Sequence, residues 1–400
     1  MKNYIELLNT EPIIKRLSLV QLISYFGAWF SNVAIYTLLI ELNVSVEIIS
    51  FVAMLHFLAG IVQAPFSGSI IDSFPPKKLM LVLIVIEFFS TLSLIFISSL
   101  SDLWLLYILI LLKMSAASFY FTTEMSLLPK ILKSNKLQIA NELHSIIWSF
   151  SYTIGISLSG FIVYLLGVKV AFILDSTMFI FCFFLLYNLE LRIPVNKSKE
   201  KILLMIKDTF IYLKNKPYAI HLMFIHAFIG LTAFDALVAL MVNKYYASII
   251  ATSLALGFIH SSRAIGLIIG PILFNKWVNN QRLIYIFIFQ AFSIWLWAIL
   301  MQNFYLSLVA SVFVGLFTTT LWSYTYTLLQ KNIDDKYYGR VIAYNDMLFL
   351  INATLTSFFI GFLSINNYSL EFITFILGFG FIIGAIYLTW ILKTYNIKDI

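Results

Sequence analysis

The feature that most constrains this chain is a succession of twelve apolar runs, each about 20 residues or longer, separated by short polar stretches. They fall near 17–41, 47–71, 78–98, 103–128, 142–166, 169–189, 218–242, 252–276, 283–301, 304–329, 339–364 and 370–393. A helix needs about 20 apolar residues to cross a hydrocarbon layer about 30 Å thick. In lipid only helices and closed barrels satisfy their own backbone groups, and no barrel-type alternation is visible. The runs therefore predict an all-α membrane protein with twelve transmembrane helices. Composition agrees: 61% of the 400 residues are hydrophobic and 11% are charged, where a soluble domain carries about 25% charged residues.

Nearly all of the basic residues fall on one face of this arrangement. With the N-terminus inside, the cytoplasmic segments hold Lys15 and Arg16, Lys77 and Lys78, Lys130, Lys133 and Lys136, and a dense set between 190 and 217. They go on to Lys276 and Arg282, then Lys331, Lys336 and Arg340, and finally Lys393 and Lys398, whereas the opposite face has Lys169 and Lys244. This positive-inside pattern predicts a multi-pass protein of the inner cell membrane with both termini cytoplasmic. The net charge of +7 thus reflects topology, and nucleic acid is not an expected partner. The charged first sixteen residues and the long run behind them argue against a cleavable signal peptide. Residues 5–14 read as a short amphipathic helix on the cytoplasmic face. Cys182, the single cysteine, cannot form an intrachain disulfide.

The stretch 190–217 is the one long charged interruption. It divides the chain into a six-helix half at 1–189, a cytoplasmic linker at 190–217 and a second six-helix half at 218–400. Such paired halves typically hold a small-molecule site near the bilayer midplane and alternate its access. No Walker-type phosphate loop is present, which excludes an ATP-driven pump. The five histidines lack metal-ligand spacing, so neither a metal nor another cofactor is expected. One chain supplies both halves, so a monomer suffices.

The loop after the second run reads Gly68-Ser-Ile-Ile-Asp72-Ser-Phe-Pro-Pro-Lys77-Lys78. It resembles the signature of the major facilitator superfamily: a Gly, an Asp four residues later and a basic pair after a short turn. Within that superfamily the chain is most similar to the branch holding enterobactin exporters and macrolide efflux proteins. The segments behind this likeness are Phe26-Gly27-Ala28-Trp29, Ser126-Leu-Leu-Pro129, Leu137-Gln-Ile-Ala140-Asn141-Glu and Gly339-Arg340-Val341. The resemblance implies a cytoplasmic gate built from Gly68, Asp72, Lys77, Lys78, Gly339 and Arg340, with Asp72 and Arg340 locking it. The competing reading makes Asp72 a helix-end cap and Arg340 a topology determinant. Three departures stand out. Ala28 occupies a place where an acid is frequent; the span-5 signature survives only as Gly155 through Gly160; and the second loop repeat, Gly270-Pro271 to Arg282, has no acid.

Charges inside spans are costly and usually face a cavity or a partner. Glu87, Lys113, Asp235 and Arg263 lie near the middle of spans 3, 4, 7 and 8. The resemblance implies that spans 1, 4, 7 and 10 line the central cavity, which places Lys113 and Asp235 there. Asp235 is the leading candidate to carry a proton, with Arg263 or Lys113 modulating it. The alternative is a pair of static ion pairs, Asp235 with Arg263 and Glu87 with Lys113. Glu124, Glu142 and Asp346 sit nearer the cytoplasmic ends and are candidate members of the gate network, and Asp175, near the outer end of span 6, reads as structural. His226 reads as a hydrogen-bonded packing residue or a cavity residue. Trp29 and Tyr36 on span 1, and Trp322, Tyr324 and Tyr326 on span 10, are candidate walls for a bulky, partly apolar solute. The expected function is a proton-coupled exporter of amphipathic small molecules, of the drug or siderophore type, acting by alternating access. An importer or facilitator of another solute is the alternative. A membrane-embedded enzyme would need a clustered nucleophile or acid–base motif, and none is visible.

Overall fold

The computed structural model describes residues 2–132, 134–191, 202–274, 277–334 and 337–395. Among them there is no strand, and twelve stretches of helix are long and apolar enough to cross a membrane. The first half holds α1 (Lys2–Thr10), α2 (Pro12–Glu41), α3 (Val46–Ser73), α4 (Pro76–Ser93), α5 (Leu103–Ile131), α6 (Ser134–Leu166) and α7 (Val168–Tyr187). The second holds α8 (Ile202–Asn215), α9 (Pro217–Ala227), α10 (Asp235–Met241), α11 (Thr252–Phe274), α12 (Asn280–Leu300), α13 (Phe304–Asn332), α14 (Tyr338–Ile365) and α15 (Leu370–Tyr395).

The ends of these helices are written in local chemistry. Pro12, Pro76 and Pro217 open α2, α4 and α9, where a missing N–H costs nothing. Asn279 and Asn303 cap α12 and α13, their side-chain oxygens accepting from the N–H groups of Arg282 and Leu306. Three of the tight turns between helices use a left-handed residue, the first being Asn43 (φ 51°) between α2 and α3. Gly167 (φ 84°) joins α6 to α7 and Asn367 (φ 61°) joins α14 to α15.

The chain forms two compact units. The first comprises Met1–Val44, Val62–Lys199 and Ala251–Gly257; the second comprises Ser45–Ile61, Glu200–Ile250 and Phe258–Ile400. In the first, α2 packs on α6 and α7, and α4 on α5 and α7. Leu17, Met80, Leu83, Leu127, Phe179 and Leu186 form its core. In the second, α12 packs on α15 and α13, and α14 runs against α9 and the segment after it. There Gly266 of α11 and Gly315 of α13 let two backbones meet so closely that a Cβ on either would overlap the other helix. Large apolar side chains such as Leu165, Ile272 and Ile386 stay exposed on outer helix faces, as a lipid solvent allows.

Three features depart from the even pattern of spans. The seventh span is not one helix: α9 gives way to a 3-10 stretch, Phe228–Thr232, then to α10 and a π-helical turn, Val242–Tyr246. The cause is visible in α14. The Asn352 side-chain amide donates to the Ala227 carbonyl at 2.6 Å, removing an acceptor from the helical ladder. Gly230 meanwhile presses onto the α14 backbone at Ala353 and Phe349. A side chain inserted into the ladder is a standard cause of a helix break.

Second, part of the linker is ordered as α8. Tyr212 stacks on Tyr337 at 3.9 Å between centroids and its hydroxyl accepts from the Asp334 N–H, while Phe210 stacks on Tyr344. Third, the N-terminal amphipathic helix is α1, ending at Thr10 rather than running to 14. Its Leu7 packs with Ile14, Leu128, Leu132, Leu143 and Ile147, and Lys136 pairs with Glu11 at 2.5 Å.

Candidate functional site

The first unit concentrates its charge. Lys113 Nζ lies 2.6 Å from Asp175 Oδ2, with the two side chains 6% and 0% exposed. The Ser31 hydroxyl donates to the same carboxylate oxygen. Glu87, also buried, stands within electrostatic reach of both Lys113 and Asp175. Four helices thus contribute one group each: α2 Ser31, α4 Glu87, α5 Lys113 and α7 Asp175. The depths agree, because Lys113 and Asp175 lie about 15 Å and about 10 Å along helices that start from the same face. Gly27 leaves room for the carboxylate, since a Cβ there would crowd Asp175 Oδ1. Lys113 therefore pairs with Asp175, the acid read from sequence as merely structural, while Glu87 is a second acid beside a single base.

A second buried polar group lies further along α5. Glu124 is 3% exposed, and its Oε2 has no hydrogen-bond partner. Tyr25 of α2 and Tyr120 of α5 are within its electrostatic reach. Beside them the Gln21 side-chain amide meets His144 Nδ1 at 2.5 Å, and His144 contacts the rings of Tyr25 and Phe121. Trp29 packs edge-on against Tyr152 and Trp148 of α6, and Tyr36 is fully buried.

Of the residues assigned to a gate, the surroundings of Gly68, Asp72 and Gly339 lie outside the described residues. Lys77 donates to the Tyr187 carbonyl at 2.7 Å and Arg16 to the Asn188 carbonyl at 2.5 Å. Both cations thus sit on the C-terminal end of α7, where the helix dipole favours positive charge. Lys78 is exposed. In the second unit, Arg340 lies 3.6 Å from Asp208, donates to the Thr209 hydroxyl at 3.1 Å and covers the Tyr337 ring. Asp208 and Thr209 both belong to α8, so the linker helix supplies partners that the sequence reading did not foresee. At the start of α9, Lys216 pairs with Asp334. That hydrogen bond holds the ammonium above the ordinary lysine pKa.

The second unit handles its intramembrane charge differently. Asp235 opens α10 and Arg263 lies on α11, both within electrostatic reach of buried His260. Among the described residues Asp235 and Arg263 form no ion pair. The Arg263 guanidinium instead lies 5.3 Å from the Phe234 ring centre, its Nε without a hydrogen-bond partner. His226 is wholly buried in the last turn of α9. The Thr325 hydroxyl donates to the Leu321 carbonyl, so His226 Nδ1–H donates to Thr325 Oγ1 at 2.8 Å. This tautomer leaves His226 Nε2 as a bare acceptor without a partner. Trp322, Tyr326 and Phe349 surround the imidazole at 4.6, 5.4 and 6.2 Å between centroids. Tyr324 points elsewhere, its hydroxyl donating to Asn280 at 2.9 Å. Asp346 accepts from the Asn345 side chain.

Sequence reasoning identified Lys113, Glu87, Asp235 and Arg263 as the charges to watch. It did not find Asp175 as the partner of Lys113, nor Asn352, His260 and Asp208. No linear signal joins residues so far apart in the chain; matching insertion depths from the same face was the only usable cue.

Comparison with known proteins fits this architecture. A search of curated proteins gives no match. Among solved structures, the crystal structure of a D-xylose-proton symporter superposes with a TM-score of 0.76 at 11% identity, covering 94% of this chain and 97% of that one. The nucleoside transporter NupG gives 0.68 at 13% identity, covering 95% and 99%. A bacterial homolog of the human lysosomal transporter Spinster gives 0.73 at 11% identity, covering 97% of each. At these identities the likeness is one of fold. A family model spanning residues 17–291 matches directly, and with it the chain belongs to the Major Facilitator Superfamily.

Proposed function

We propose that the protein is a proton-coupled exporter of amphipathic small molecules that works by alternating access. The observation that carries this reading is the set of ionisable groups within the spans of a facilitator fold: buried Glu87, Lys113 and Asp175 in one unit, and buried His260 with half-buried Asp235 and Arg263 in the other. Charges at such depth are expensive, and in transporters they mark ion and substrate paths. In this scheme Asp235 is the proton carrier, with Arg263 and His260 nearby. The solute rests against aromatic walls that include Trp322 and Tyr326 beside His226, and Trp29 in the first half. The broken seventh span supports this placement, because transporter sites recur where a spanning helix is interrupted.

The distribution of basic residues supports both termini and the linker lying on the cytoplasmic side of the inner membrane. The halves 1–189 and 218–400 move against each other, and one chain acts alone. Gly68, Asp72, Lys77, Lys78, Gly339 and Arg340 form the cytoplasmic gate in this scheme. Proton-driven import is the competing reading, because the D-xylose-proton symporter shares the fold. Accumulation of a lipophilic dye such as ethidium in cells with and without the protein separates the two. Export predicts more dye retained in cells lacking the protein; less dye in those cells would establish import.

A further inference from the structure

Glu124 has no part in the scheme above, yet it is the most isolated acid among the described residues of the first unit. It is 3% exposed and its Oε2 is unpartnered. Among the described residues no cation lies within its electrostatic reach, in contrast to Glu87, which has Lys113. A lone ionised carboxylate at such a place is strongly unfavourable, and one bound proton removes that cost.

One helical turn earlier on α5, the Tyr120 hydroxyl is likewise buried and unpartnered. Residues four apart share a helix face, so the two unsatisfied polar ends lie side by side. Tyr120 and Tyr25 each have both Glu124 and Glu87 within electrostatic reach. The other titratable groups facing this space are the Cys182 thiol of α7, within reach of both acids, and His144 of α6, whose Nδ1 is already engaged by Gln21. Both phenols thus share an electrostatic environment with an acid near the end of α5 and an acid beside the Lys113–Asp175 pair, and Tyr25 is hydrogen-bonded to Gln21. Glu124 lies eleven residues beyond Lys113, about 16 Å along the same helix.

We infer that Glu124 is a proton-binding site of the first unit, and that Tyr120 and Tyr25 relay the proton between it and Glu87. This deepens the proton-coupled reading by giving the first half its own proton path, separate from Asp235. In each step a phenol O–H donates its proton to one carboxylate and regains one from the other carboxylic acid, so charge and protons balance.

Infrared difference spectroscopy of the full-length protein in liposomes, from about pH 5 to about pH 9, tests this directly. The wild type is expected to show a carboxylic-acid band that disappears as pH rises, and Glu124→Gln to lack it. Tyr120→Phe is expected to keep the band but to slow its exchange with deuterium ~10-fold or more. Glu124→Asp should restore a titrating band at a shifted frequency, which keeps the test open should the Gln variant not fold. A band unchanged in Glu124→Gln, or absent from wild type throughout the range, overturns the site. Exchange unaffected by Tyr120→Phe overturns the relay. The readout is proton binding, so it is separable from transport. A protein that titrates at Glu124 but moves no ethidium refutes the exporter reading and leaves this site standing.

Discussion

The two units of this protein bury charge in opposite ways. In the first, Lys113 and Asp175 form a direct, fully buried ion pair braced by Ser31, with Glu87 beside it. In the second, Asp235 and Arg263 stand near His260 without an ion pair, and Arg263 leans on Phe234. The helices follow suit. The first unit keeps its spans continuous and carries its polarity on side chains, whereas the second breaks span 7 and exposes backbone groups to Asn352. The contrast shows two solutions to the same problem of holding polarity in lipid. A closed ion pair is rigid because removing either partner strands the other. An open arrangement leaves a group free to change its proton or its partner.

The largest test of this contrast is Lys113→Met. It leaves Asp175 and Glu87 buried without a cation, and the expected loss is about 3–5 kcal/mol in thermal or denaturant unfolding. The double variant Lys113→Met with Asp175→Asn should recover most of that loss. Arg263→Met should cost only about 1 kcal/mol, the worth of its contact with Phe234. Equal losses for Lys113 and Arg263 would erase the distinction between the units.

Asn352→Leu comes next. It deprives the Ala227 carbonyl of its donor, with an expected cost of about 1–3 kcal/mol. Wild-type stability in this variant would show that the break in span 7 does not depend on Asn352.

The smallest effects belong to the exposed pairs of the linker and the start of α9. Asp208→Asn beside Arg340, and Lys216→Met beside Asp334, should each change stability by about 1 kcal/mol or less. Folding raises the Lys216 pKa through Asp334. Its contribution is therefore complete below the lysine value of the unfolded chain, including at neutral pH, and is lost as pH climbs through the higher folded value. A Lys216→Met effect that grows between pH 7 and pH 9 would contradict this sign.

Much of the fold was legible in the sequence because a bilayer imposes a simple rule. Each run of about 20 apolar residues must be a helix, and polar punctuation such as Pro76, Asn279 and Asn303 places the ends. What escaped was set by tertiary contacts. Nothing local distinguishes 218–242 from an ordinary span; the break comes from Asn352, over a hundred residues later. The linker looked like a charged loop because α8 is ordered by Tyr337, Asp334 and Tyr344 rather than by its own propensity. At the candidate site, the charged residues were visible one by one, since charge in an apolar run is conspicuous. Their pairing was not. The sequence offered Glu87 as the partner of Lys113, and only helix packing brings Asp175 to it instead.

The proposed function requires a proton gradient to drive solute movement through intramembrane acids such as Asp235. It is tested most directly by purified protein in sealed liposomes preloaded with a lipophilic cationic dye such as ethidium, under an imposed pH gradient. The account predicts dye movement opposite to the proton flow, reversal of direction when the gradient is reversed, and loss of gradient-driven movement in Asp235→Asn. Dye movement indifferent to the gradient, or a gradient response undiminished in Asp235→Asn, would contradict it.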